Sequence, residues 1–204
     1  MVTMARASKH ELNVINFLLR HYTEQYSINQ LAKQIGLTPK GMHKLLKRLE
    51  SQSIVKPQSI GNAIFYHPNF ESELAMKATV LALFEDITLA YARVQAKDIE
   101  RLRPFVKSAV LFGSVIQMGE KAGDIDVMVV IDRKKYESYK KALAELRALK
   151  TKPIHDMVQT FEDLIKNLKK HDNVLLAILR TGKILWGHDI IVSAVKEAYD
   201  THRT

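Results

Sequence analysis

Ser108-Ala109-Val110-Leu111-Phe112-Gly113-Ser114 and, nine residues further on, Asp124-Ile125-Asp126-Val127-Met128-Val129-Val130-Ile131 decide how the chain is read. An apolar strand breaks at Gly-Ser, and a second strand opens with two carboxylates one residue apart. Alternate residues of a strand share a face, so Asp124 and Asp126 project together. Two like charges held that close are costly until a cation neutralises them. Mg2+ suits such a pair because it prefers carboxylate oxygens and leaves positions open for phosphate.

The 204 residues allow one large domain or two small ones, and 47% apolar residues suffice for a packed core. A formal charge of +9 favours a polyanionic partner, nucleic acid or nucleotide. The absence of cysteine excludes disulfides, zinc-thiolate sites and thiol nucleophiles. No apolar run approaches the roughly 18 residues of a membrane span, and Met1 to Ser8 lacks the apolar core of a signal peptide. The expectation is a soluble, cytoplasmic protein with no membrane partner.

Residues 1–68 read as a small basic domain. Leu12, Val14, Ile15, Phe17, Leu18 and Leu19 recur at helical spacing behind Ser8 as N-cap. Ser27 caps a second helix, Ile28 to Ile35, which Gly36 ends. Thr38 and Pro39 start a third, running to about Ser51 with Met42, Leu45, Leu46 and Leu49 inward. Its other face presents Lys40, His43, Lys44, Lys47 and Arg48. Ile54 to Pro57 and Ala63 to Tyr66 then read as strands joined by a Gly-containing hairpin. Nine Lys and Arg against three acids leave six of the nine net positive charges here.

Three short helices followed by a basic hairpin resemble the winged helix-turn-helix family over residues 8 to 68. In that family the third helix enters the DNA major groove and the wing follows the backbone. The resemblance implies DNA contacts from Lys40, His43, Lys44, Lys47 and Arg48, with Lys56 in the wing. A helix face that is merely solvated is the alternative for these cations, and the winged fold also serves as a protein-interaction module.

Residues 69–97 read as one long linker helix, unbroken from Glu71 to about Gln95. Leu74, Ala78, Leu81, Phe84, Ile87, Tyr91 and Val94 fall three or four apart, which makes either a homodimer seam or a helix packed on its own domains. Asp98 is read as the cap of a short helix ending near Pro104.

Residues 98–204 form the last domain. Leu111-Phe112-Gly113-Ser114, nine residues, then Asp124-Ile125-Asp126 resembles the signature of the DNA polymerase β nucleotidyltransferase superfamily, its minimal nucleotidyltransferase branch in particular. The resemblance implies a mixed sheet flanked by helices and hence, for the whole chain, an α+β protein. It implies phosphate binding by Gly113 and Ser114, helped by the amides of the following helix, and Mg2+ or Mn2+ held by Asp124 and Asp126. A third carboxylate is implied on the next strand, Lys152 to Val158, where Asp156 is the only acid; it would complete the metal site and help deprotonate the acceptor hydroxyl. His155 is expected on the opposite face, as a packing residue. The last helix is expected over Ile190 to His202.

Two departures bear on activity. Active members often carry an Arg soon after Gly-Ser and a Ser before the first aspartate; Gln117 and Gly123 stand near those places. Lys121 is the substitute cation, although a flexible ammonium is a poorer clamp than a guanidinium. The expected activity is transfer of a nucleoside monophosphate, AMP from ATP or from another NTP, to a hydroxyl of a protein, RNA or small molecule. A toxin-like protein acceptor follows by analogy with minimal nucleotidyltransferases. The alternative is a DNA-binding regulator whose second half senses nucleotide or dimerises.

Overall fold

The computed structural model describes residues 7–200, and over them the protein is α+β, with ten α-helices and two sheets. Its contacts divide it into two compact units, residues 1–83 and 84–204. Among the described residues no helix is long and apolar enough to cross a membrane.

The first unit holds α1 (Lys9–Arg20), α2 (Ile28–Ile35), α3 (Pro39–Ser51), β1 (Val55–Ile60), β2 (Ala63–Pro68) and α4 (Glu73–Ala82). Local chemistry sets these boundaries. Ser8 with Glu11 and Ser27 with Gln30 form capping boxes, so two otherwise orphaned amides are satisfied at each helix start. Thr38 accepts from the Gly41 amide, and Pro39 opens α3 where its missing N–H is of no consequence. Gly36, in the left-handed conformation at φ 77°, ends α2. The inward stripes meet in one core containing Val14, Leu18, Leu31, Met42, Leu46 and Leu49, on which Tyr66 of β2 and Ala75 and Ala78 of α4 also pack. β1 and β2 form an antiparallel hairpin, with Ile60 opposite Ala63.

The linker departs from the sequence expectation. In place of one helix over residues 71–95, α4 stops at Ala82 and α5 (Ala90–Ile99) begins eight residues later. Ile87 of that stripe, and Leu89 beside it, pack against the core of the second unit, and tertiary packing overrides the helical period. Within α4 the buried side is Ala75, Ala78, Thr79 and Ala82, whereas Leu81 is exposed. No single helix carries the seven-residue seam. Asp98 lies inside α5, where it pairs with Lys150.

The second unit continues with β3 (Ser108–Phe112), α6 (Ser114–Met118), β4 (Ile125–Val130), α7 (Tyr136–Ala148), β5 (Ile154–Gln159), α8 (Phe161–Lys169), α9 (Asn173–Thr181), β6 (Lys183–Trp186) and α10 (His188–Asp200). The end of the expected last helix, at His202, lies outside the described residues. The sheet order is β5-β4-β3-β6, with β4 and β5 parallel through the α7 crossover and the other pairs antiparallel. Strand alternation sorts the two faces. Ala109, Leu111, Ile125, Val127, Val129 and Ile154 face a core shared with Ala92 and Ile99 of α5 and Tyr139, Leu143 and Leu146 of α7. α8 packs on β5, and α9 and α10 pack on β3, with residues outside that core.

Candidate metal centre

β3 hands the chain to the site through Gly113. Its φ of 75° lies where a side chain is strained, and a Cβ there would stand 2.2 Å from Asp126 Oδ2. The Asp126 carboxylate therefore occupies the space that any other residue would fill. β3 and β4 pair so that Phe112 is opposite Asp126, which brings Gly113 beside the carboxylate. Ser114 follows, and its hydroxyl donates to Asp124 Oδ1 at 3.1 Å. Asp124 and Asp126 share the face opposite Val127 and Val129, as their spacing requires.

The third member of the cluster is His155. The parallel register places it directly opposite Asp126, and its Nδ1 lies 3.6 Å from Asp124 Oδ2 and 3.7 Å from Asp126 Oδ1. One ligand atom from each of the three residues falls within 4.8 Å of the others, so the group could hold a metal ion. Ligands about 2.1 Å from one ion stand roughly 3.0–3.5 Å from each other, and the His–Asp distances exceed this by only a few tenths of an ångström. The side chains are 37% (Asp124), 23% (Asp126) and 62% (His155) exposed, which leaves the cluster open to a ligand from solvent. Burial, and then the Asp124 charge, raise the pKa of the Asp126 carboxyl, while His155 opposes them. A bound cation would offset both, because a nearby opposite charge favours the ionised carboxylate.

Asp156 is not brought to this cluster. Its carboxylate accepts from Arg147 Nη2 at 2.8 Å and from the Tyr139 hydroxyl at 2.9 Å, on the opposite face. Arg147 also donates from Nε and Nη2 to the Ile154 carbonyl. Burial and the Asp156 charge push the Tyr139 phenol far above its ordinary value, so it stays a donor. The expected faces of residues 155 and 156 are exchanged for a simple reason. Ile154 and Val158 pack in the α7-side core, and a residue midway between them in a strand must share their face. In the sequence Ile154, Asp156 and Val158 alternate with His155, Met157 and Gln159, and the apolar Met157 blurs the parity.

The remaining residues of the expected phosphate loop are placed as follows. α6 has only five residues, too short for a substantial macrodipole. Gln117 is exposed, and Lys121 is exposed in a 3-10 turn spanning Gly119–Lys121, with no ion pair to either aspartate. Lys152, which the sequence did not single out, ties this turn down: its Nζ donates to the carbonyls of Ala122, at 2.7 Å, and Glu120, and lies over the Tyr91 ring.

In the first unit, Lys40, His43, Lys44 and Lys47 line one exposed side of α3 at i, i+3, i+4 and i+7. Lys47 pairs with Glu50 at 3.0 Å, Arg48 with Glu11 at 2.8 Å, and Lys56 with Glu71. Lys40, His43 and Lys44 form no ion pair among the described residues.

No family model matches the chain, and no curated protein or solved structure is significantly similar to it.

Proposed function

We propose that the second unit is a divalent-cation-dependent nucleotidyltransferase of the DNA polymerase β type, using Mg2+ or Mn2+ and ATP or another NTP. The observation that carries this reading is the packing of Gly113 and Ser114 onto the Asp124–Asp126 pair, with Gly113 lacking the Cβ that would expel Asp126. A cation there would neutralise phosphate charge and acidify an acceptor hydroxyl. Asp124 and Asp126 would hold it, and Ser114 fixes the Asp124 carboxylate through its hydroxyl. The acceptor oxygen attacks the α-phosphorus in line, the bond to pyrophosphate breaks, and the hydroxyl proton leaves to solvent or to a carboxylate. The acceptor class is a protein, RNA or small-molecule hydroxyl, a toxin-like protein among them. Asp156 has no part in this chemistry; it braces β5.

The test is transfer of label from α-labelled ATP to self, tRNA or lysate protein. Wild type should transfer and Asp126→Ala should not. Absence of transfer by wild type with either Mg2+ or Mn2+ would count against the reading.

A second reading concerns the first unit and rests on the exposed cations of α3. We propose that they contact DNA phosphate in the manner of a winged helix, so that the protein acts as a regulator or an addressed enzyme. Its measurement is DNA retention as a function of salt, which weakens on Lys44→Ala and Lys47→Ala.

A further inference from the structure

We infer that His155 is itself a metal ligand and that, through it, the site selects a first-row transition ion over Mg2+. The inference rests on the metal-site half of the proposed function and does not depend on nucleotide transfer. Three observations carry it. The parallel register fixes His155 opposite Asp126. Its Nδ1 is nearly equidistant, at 3.6 and 3.7 Å, from one oxygen of each carboxylate. Gly113 keeps open the space that Asp126 needs to join them.

The donor set then decides the ion. Mg2+ is hard, demands oxygen ligands and dehydrates reluctantly. Imidazole nitrogen suits Fe2+, Ni2+, Cu2+ and Zn2+, and in the first-row series affinity rises from Mn2+ at the low end toward Cu2+. Two aspartates alone would not distinguish Mg2+ strongly from Mn2+; one nitrogen in the triangle does. With Nδ1 facing the ion, the ring proton sits on Nε2, which the exposure of the side chain leaves to water. β5 is braced on either side of the ligand: Arg147 holds the Ile154 carbonyl and the Asp156 carboxylate, the residues flanking His155. The ligand is thus presented by a strand already fixed on its other face.

Mn2+ is the probe, because it is the weakest-binding member of the transition series and the most demanding comparison with Mg2+. Binding is read from loss of the free-ion EPR signal, with Mg2+ as competitor, and pulsed EPR reads nitrogen coupling from directly bound imidazole. Wild type should prefer Mn2+ and show nitrogen coupling. His155→Ala should lose the coupling and weaken Mn2+ binding by about tenfold or more, since loss of even an outer-sphere partner costs about 10–100-fold. Mg2+ binding should change far less. His155→Asp should turn the preference toward Mg2+. Asp126→Asn should abolish both, placing the ion at this cluster rather than at another histidine. If wild type binds Mn2+ through the aspartates but His155→Ala matches it, or nitrogen coupling is missing, the inference is overturned and the metal reading stands. If wild type binds neither ion, the metal reading falls and takes the inference with it.

Discussion

Gly113 is the residue on which the site turns. A methyl group there meets two costs together, a φ of 75° and a carboxylate oxygen at 2.2 Å. The first is worth about 1 kcal/mol on its own. The second is relieved only by moving Asp126 out of the cluster. Gly113→Ala should therefore lower unfolding free energy by about 1–3 kcal/mol in urea titration and abolish Mn2+ binding in the folded protein. Retained ion affinity would show that Asp126 can ligate from elsewhere. Asp126→Asn should act differently, losing the ion while costing little stability in chelator, because it removes a carboxylate raised by burial and by Asp124. The aspartate pair was legible because a two-residue spacing fixes a shared face. His155 was not, because Met157 and Val158 are both apolar and only the pairing with β4 settles which face of β5 meets the aspartates.

At the scale of elements, the helix boundaries of the first unit were written locally, in caps at Ser8, Ser27 and Thr38 and the stop at Gly36. The break between α4 and α5 was not, since the sequence around Glu85 and Ile87 holds no proline or glycine. What accompanies the break is the packing of the partly buried Ile87 and Leu89 against another core, a contact that exists only once that core is formed. β5 shows the same dependence on tertiary partners. Arg147→Met leaves the half-buried Asp156 with only Tyr139. Loss of a charge-assisted bond to such a group should cost about 1–3 kcal/mol, and Asp156→Asn should recover part of it in the double variant by removing the uncompensated charge. α8 offers a pH test. Thr160 and Asp163 cap it reciprocally, and the Thr160 hydroxyl holds the Asp163 carboxyl below its usual range. A depressed carboxylate contributes stability that is present above its unfolded value and lost as pH falls through its folded value. Thr160→Ala should thus cost about 1 kcal/mol near neutrality and less once pH drops below the ordinary aspartate range. Chemical denaturation at the two pH values checks the difference, and a cost that grows on acidification would contradict it.

Across the whole molecule, the two kinds of charged cluster fall in different units. The first unit presents Lys40, His43, Lys44 and Lys47 along one exposed side of α3, while the metal candidates all lie in the second unit. The cations are not equivalent, because Lys47 already has Glu50 at 3.0 Å. A lysine that neutralises a phosphate releases counterions, and its removal lowers the slope of log affinity against log salt by about 1. Lys40→Ala and Lys44→Ala should each do this across unrelated DNA sequences. Lys47→Ala should do so less, since part of its charge is compensated before DNA arrives. The same three variants should bind Mn2+ as wild type does, because none of these residues contributes a ligand atom. Equal slopes for wild type and Lys44→Ala would leave α3 as a solvated surface. A slope change accompanied by loss of Mn2+ binding would mean that one function of the chain depends on the other, a coupling that the separate residues of the two sites give no reason to expect.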